Sequence, residues 1–400
     1  MRIAWFSNID FQEGNAANSR IRALANGLKA NGNHVFLFFL SPTVFNDNGL
    51  NKKTKGFFDG IYFNYLSGKI IRSHYLLIRI FTYLKSIFSS SWLLIKKRNH
   101  FDIIFIYSPR LLFFGHIYIL AKILKIPLIL EKTELDHLII ENKSLVSKFA
   151  GFTDRLDVYF LKHVCTHLIV ISEKLKNYYS QFLPPSKISL VPIIVDLKRF
   201  ESVNGNGIFP SYTLGYLGSF GAKDGVNGII EGFKNAIKEV PNLKLKLIGF
   251  NPHKKETNLE LKRNQLNGQV EKSGQITYDQ VPHWLAKCDL LIMNRTNHEF
   301  SHYGFPTKLG EYLATGIPTI CTRVGDIENY LEHNNSTYII EPDNSKQLTD
   351  AIIERYKNYD TFNAIGQKGK QIAQSHFDYQ KYIPVLQSVF EEAILSKKYP

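Results

Sequence analysis

Short, nearly continuous apolar runs recur along the chain, separated by stretches with helical spacing. In the first half the runs are RIAWFS (2–7), HVFLFFL (34–40), FDIIFIYS (101–108), PLILE (127–131) and THLIVIS (166–172). In the second half they are TLGYLGS (213–219), LKLKLIGF (243–250), DLLIM (289–293), PTICT (318–322) and TYIIE (337–341). Strands without apolar–polar alternation are buried on both faces, which is the situation in a parallel sheet covered by helices. The stretches between them predict those helices: RIRALANGLKANG with its glycine end signal, one running through Leu124, KLKNYYSQF, DGVNGIIEGFKNAIKEV, VPHWLAKC and PTKLGEYLAT. A last helical region covers roughly 365–398. The pattern predicts an α/β protein of doubly wound, Rossmann-like sheets.

Four hundred residues exceed what a single core usually supports. The segment VNGNGIFPS (203–211) is rich in Gly, Asn and Pro, as linkers are, and the strand–helix alternation restarts after it. The expected division is residues 1–205, residues 206–380, and a terminal helix at 381–400 packing back toward the first domain. Open parallel sheets bind ligands beyond the carboxyl ends of their strands. Two such sheets are expected to face each other across a cleft.

Composition changes this picture at three points. Hydrophobic residues at 44% and charged residues at 21% mark a globular chain rather than a disordered one. Cys165, Cys288 and Cys321 are far apart, each in or beside an apolar run, so they read as buried thiols in a reducing compartment. The opening MRIAWFSNID reads as a first strand rather than a leader, which points to the cytoplasm.

The third point is charge. The net +14 lies wholly in the first 200 residues, which hold 27 Lys and Arg against 13 Asp and Glu, while the last 200 hold 22 of each. A one-sided basic half points to a polyanionic partner. Residues 70–98, IIRSHYLLIRIFTYLKSIFSSSWLLIKKR, mix large apolar side chains with Arg72, Arg79, Lys85 and a closing Lys96-Lys97-Arg98 cluster. Charges interrupt the stretch too often for a spanning helix, so it is expected to lie on an anionic membrane surface or to pack on the sheet. No nucleic-acid-binding module is present, and nucleic acid is not an expected partner.

Candidate chemistry concentrates in GFPTKLGEYLATGIPTICTRVGD (304–326). It reads as a Gly-containing loop, a short helix bearing Lys308 and Glu311, a turn and a buried strand. Backbone amides, one cation and one carboxylate at the mouth of a parallel sheet suit a diphosphate and a sugar hydroxyl. Two Gly loops follow the first strand of each half: the loop containing Gly14, and the run from Gly218 through Ser219, Phe220 and Lys223 to Gly225. Each opens a helix and could cradle phosphate. Glu131 and Glu134 follow PLIL and could orient an acceptor hydroxyl or take its proton, or else serve as helix-start carboxylates. No GxGxxG fingerprint, P-loop, HExxH or nucleophile elbow occurs, which removes nicotinamide-dinucleotide, P-loop and zinc chemistry.

These residues carry a resemblance that covers nearly the whole chain. The Gly14 loop leading into ALANGLKANGNHV, then LIVISEKLKNYY, VPIIVDLKRF, LGYLGSFGAKDGV, PNLKLKLIG and the 304–326 block are similar to the GT-B glycosyltransferases of family 4. These are retaining, sugar-nucleotide-dependent enzymes, and the likeness is greatest to members of bacterial cell-surface polysaccharide biosynthesis. The resemblance implies that Glu311, the second glutamate of an E-x7-E motif, binds the donor ribose. It implies that Lys308 and the amides around Leu309 meet the diphosphate, with Gly304, Pro306 and Thr307 shaping the loop.

The first glutamate of that motif falls at Tyr303, and the usual Arg and Lys of the phosphate loop fall at Ser219 and Asp224, with Lys223 one residue early. The resemblance therefore implies a UDP- or GDP-sugar donor, a saccharide or lipid-linked saccharide acceptor, and neither a tightly bound cofactor nor a metal. The competing readings are a nucleotide-sugar epimerase on the same fold and a non-catalytic glycan- or nucleic-acid-binding protein.

Overall fold

The computed structural model describes the chain except for residues 10–15, 45–50, 136–155, 204–210, 219, 250–256, 259–260, 262–265, 267 and 399–400. The chain forms two compact units. One holds Met1–Glu13, Arg20–Pro192 and Tyr379–Pro400, and the other holds Gly14–Ser19 and Ile193–Asp378.

The first unit is built on an eight-stranded sheet. Its strands are β1 (Arg2–Ser7), β2 (His34–Phe39), β3 (Lys55–Phe58), β4 (Ile61–Tyr65), β5 (Ile103–Tyr107), β6 (Leu128–Lys132), β7 (His167–Val170) and β8 (Ile188–Leu190). The order is β3-β4-β2-β1-β5-β6-β7-β8. The pairs are parallel except β3 with β4. Every residue of β5, β6 and β7 is buried, which explains their unbroken apolar runs. Helices α1 (Ala16–Ala30), α2 (Leu76–Lys96), α3 (Leu111–Ile123) and α4 (Glu173–Tyr179) connect them.

Strands β3 and β4 were not among the expected elements. They form an edge hairpin closed by Asp59-Gly60, both with positive φ (52° and 70°), the mirror-image turn that matches strand twist. An Asp-Gly pair between apolar stretches is a signal the periodicity reading passed over.

The second unit carries a six-stranded, all-parallel sheet. Its strands are β9 (Thr213–Leu217), β10 (Lys244–Ile248), β11 (Val270–Gly274), β12 (Leu290–Met293), β13 (Thr319–Thr322) and β14 (Tyr338–Ile340). Their order is β11-β10-β9-β12-β13-β14. The chain winds outward from β9 to one edge and then returns to β12 on the other side. Strands β9 and β12 therefore flank the topological switch point, where loops diverge and leave a crevice.

Helices of this unit include α5 (Val226–Ala236), α6 (Val281–Leu285), α7 (Glu299–Tyr303), α8 (Lys308–Thr315), α9 (Ser345–Lys357) and α10 (Tyr359–Ile372). Ile229 and Phe233 of α5 pack with Leu348, Ala351 and Ile352 of α9 in one apolar cluster. The last helix, α11 (Ile383–Lys398), belongs to the first unit, where Phe390 packs on Phe105 of β5 with ring centroids 5.5 Å apart. All three cysteines are buried free thiols.

Candidate functional site

The second unit gathers charge at its switch point. After β9 the chain passes through Phe220 and Gly221 into a short turn of helix, Ala222–Asp224, and then α5. Asp224 accepts from the Gly221 amide at 3.1 Å, which closes the loop on itself. Gly225 has φ +55°, and a Cβ there would lie 2.4 Å from the Asn294 amide nitrogen. Only glycine fits, and Asn294, just past β12, bonds the Gly225 carbonyl at 2.8 Å. The two loops of the switch point are thereby tied together.

Lys308, the first residue of α8, reaches Asp224 at 3.6 Å. Burial pushes the Asp224 carboxyl up, but Lys308, Arg295 and Lys223 outweigh it and hold the group down at about 2. Burial lowers the Lys308 ammonium, with Arg295 and Lys223 adding to the effect and Asp224 opposing it. Three cations thus converge on one carboxylate at the mouth of a parallel sheet, beside the start of α8. The surplus of positive charge is what an anionic group with several oxygens would complete.

One turn further along α8, Glu311 is almost fully buried. Its Oε1 accepts from Arg199 Nη1 at 2.8 Å. Arg199 also donates to the Tyr278 carbonyl, and its guanidinium carbon stands 3.3 Å from the Tyr278 ring centroid. Arg199 is therefore clamped from two sides and fixes the rotamer of Glu311. The neighbouring Tyr312 hydroxyl accepts from the Leu217 amide at 2.6 Å and donates to the Leu217 carbonyl at 3.2 Å, locking α8 onto the end of β9.

Of the expected donor-side residues, the structure brings Lys308, Lys223, Glu311, Gly304, Pro306 and Thr307 into one unit around α8 and its preceding loop. Phe220 is buried with φ +55°, and its ring packs edge-on against Tyr216. Tyr303 ends α7 at half-burial. The Leu309 amide is already donated to the Pro306 carbonyl at 2.9 Å, so it closes the first turn of α8 instead of waiting for a ligand. Gly14 and Ser219 lie outside the described residues. Asp224, which stands where a phosphate-binding cation was sought, instead organises the cations around it.

In the first unit, Glu131 is fully buried in β6. Arg20 Nε donates to its Oε1 at 2.7 Å, and the same guanidinium donates to the carbonyls of Val191 and Pro192. Glu131 thus holds Arg20, and through it the segment leaving β8, with no surface turned to an acceptor. Burial raises its carboxyl and Arg20 opposes the shift. Lys132 is likewise internal, paired with Asp157 at 2.6 Å. Glu134, past the strand end and half-buried, is the carboxylate of this group with access to solvent.

Sequence reasoning missed Arg199 and Arg295. Arg295 stands two residues past the end of β12, so its position beyond a strand end was a usable signal. Arg199 had none, because its partners lie 112 and 79 residues away. Among the described residues no group of three or more His, Cys, Asp or Glu could hold a metal ion.

Comparison with known proteins bears on the family and the fold. The family model described as Glycosyl transferases group 1 matches residues 202–372, and the one described as Glycosyltransferase Family 4 matches residues 17–199. An uncharacterized glycosyltransferase of Methanocaldococcus jannaschii is 26% identical over 239 residues, 58% of this chain and 62% of that protein. The matches span between 43% and 62% of the length of the curated relatives. HepE of Anabaena, solved with UDP and glucose, shares the fold with a TM-score of 0.74 at 15% identity, over 98% of this chain and 99% of that one. WaaG, a glycosyltransferase involved in lipopolysaccharide biosynthesis, shares it with a TM-score of 0.68 at 16% identity, over the full length of both.

Proposed function

The chain belongs to the GT-B glycosyltransferases of family 4, and on that premise we propose that it is a retaining enzyme of cell-surface polysaccharide assembly. It takes a sugar from a UDP- or GDP-sugar and passes it to a hydroxyl of a saccharide or lipid-linked saccharide on the cytoplasmic side. The observation that carries this reading is the cluster of Lys308, Lys223 and Arg295 about Asp224 at the switch point, one helical turn from Glu311.

In the transfer, the bond between the anomeric carbon and the diphosphate oxygen breaks and its electron pair leaves with the diphosphate. The acceptor oxygen bonds the same carbon on the same face, and its proton departs to the leaving group. Negative charge grows on the diphosphate as this happens. Cations aligned beforehand stabilise it without reorganising. We assign the ribose hydroxyls to Glu311, whose hydrogen bonds from Arg199 and Ser19 are both on Oε1. Glu134 is the acceptor-side carboxylate of the reading. The family resemblance is what assigns Gly14 and the 218–225 loop to the donor site in this reading.

Calorimetry with UDP, GDP, ADP, CMP and dTDP tests it. One diphosphate is expected to bind with a dissociation constant on the order of micromolar, well ahead of the rest. Absence of binding by all five would overturn the donor assignment. Epimerised nucleotide sugar formed without acceptor would favour the epimerase reading instead.

Arg199 supplies a second prediction. Arg199→Gln releases the Glu311 carboxylate from its fixed rotamer, so the preferred ribonucleoside diphosphate should bind about tenfold more weakly. Its 2′,3′-dideoxy analogue should bind unchanged, because it makes no ribose contact to lose. Equal losses for both would assign Arg199 to fold maintenance alone.

A further inference from the structure

Helix α2 is inverted relative to an ordinary surface helix. The positions it buries are Thr82, Ser86, Ser90 and Leu94, and the positions it exposes are large and apolar. Leu77 is 80% exposed, Phe81 69%, Phe88 72% and Trp92 58%, with Leu84 and Ile95 completing the stripe. These six recur at intervals of three and four, so they form one line along the helix.

The inner face bears hydroxyls at no cost, because each is satisfied locally. Thr82 donates to the Ile78 carbonyl at 2.6 Å and Ser86 to Tyr83 at 2.7 Å. Ser90 bonds both the Ser86 carbonyl and His116 of α3, each at 2.7 Å. Burial lowers His116 to about 4, so this bond involves a neutral imidazole at physiological pH. Tyr83 adds a ring contact with Phe113 and a hydrogen bond to the Leu112 carbonyl. The small residues let α2 sit close on α3, and the helix is held rigidly with its apolar side outward. On α3 itself, Leu112, Ile119 and Ile123 are exposed and share the helical face of His116, so they border α2.

We propose that this face of the first unit is a docking surface for an anionic lipid bilayer, with α2 lying in the plane of the interface. Two observations select that occupant. Between residues 60 and 130 the one acidic residue is Asp102, which is paired with Arg2 at 2.7 Å, while Lys69, Arg72, Arg79, Lys85, Lys96, Lys97, Arg98, Arg110, Lys122 and Lys125 are present. Helical spacing puts Lys85 and Lys96 at the margin of the apolar stripe, and the Lys96 ammonium lies 5.8 Å from the Trp92 ring centroid. Apolar side chains can enter the acyl boundary while flanking ammonium groups stay among anionic headgroups. A second copy fits worse, because a two-fold contact would set this basic face against itself. No helix among the described residues is long and apolar enough to cross a membrane.

The proposal stands on α2 and α3 alone and does not depend on the donor assignment. Flotation of the purified full chain with vesicles tests it, comparing phosphatidylcholine alone with phosphatidylcholine mixed with phosphatidylglycerol. The protein is expected to float with the mixed vesicles and to be released by salt. The triple variant Phe81→Ser, Phe88→Ser, Trp92→Ser should stay at the bottom. Lys85→Glu with Lys96→Glu should cut partitioning by about tenfold or more. All five positions are solvent-exposed, so unchanged thermal midpoints and nucleotide binding are expected for both variants. Absence of flotation with either lipid, or unaltered flotation of the triple variant, overturns the proposal. So does a dimer in solution that the triple variant splits into monomers, which would give the face to a second copy.

Discussion

Lys308→Ala is expected to lower glycosyl transfer by about 10²–10³-fold, the loss typical when one preorganised charge-stabilising group is removed from a reacting centre. Two effects combine in this variant. The diphosphate loses the cation placed at the start of α8, and Asp224 loses the partner that most lowers its carboxyl. A buried carboxylate without that partner repels the growing negative charge of the leaving group. Binding separates this role from general damage to the fold. Affinity for the preferred nucleoside diphosphate should fall steeply, whereas affinity for the free nucleoside should change little. A uniform loss for both ligands would take Lys308 off the phosphates. Asp224→Asn on its own should preserve diphosphate binding far better than Lys308→Ala does, because it removes the anion and leaves the cations.

Arg20→Ala is expected to destabilise the first unit by about 3–5 kcal/mol, the range for removing one partner of a buried ion pair. Both side chains are essentially inaccessible, and the Arg20–Glu131 contact is 2.6 Å. The variant strands a carboxylate in the centre of the sheet and also frees the carbonyls of Val191 and Pro192. Glu131 Oε2 already lacks a hydrogen-bond partner, so no second donor is waiting to rescue it. Urea denaturation followed through the first unit's transition measures the loss. The double variant Arg20→Met, Glu131→Leu should recover much of it, because apolar replacement of both partners removes the charge rather than isolating it. If the single and double variants lose equally, the packing volume of Arg20 matters more than its charge.

Several features of this chain were readable from its residues in order. Each buried strand is a local apolar run, so β1, β2, β5, β6, β7, β9, β10, β12, β13 and β14 fall within the stretches that periodicity marked. Lys308 and Glu311 were legible because helix phase is a short-range property: three residues apart at a helix start, they share a face near the strand ends. The charge asymmetry was legible because it is a count. Residues 70–98 were legible as amphipathic and basic, although not as to which side would turn inward.

Only the tertiary structure decided the rest. Arg20 could have reached a ligand, but its 111-residue separation from Glu131 closes in space and makes both groups internal. Arg199 meets Glu311 because the Leu197–Phe200 turn packs on α8, and Arg295 acts on Asp224 electrostatically because β12 returns beside β9 at the switch point. The face of α2 that packs was decided by the small hydroxyls of Thr82, Ser86 and Ser90, which allow close approach to α3 where bulkier residues would not. Hydrophobic periodicity records which side chains share a face of one element. Which elements become neighbours is set by strand order and crossover, and long-range ion pairs exist only once those are formed.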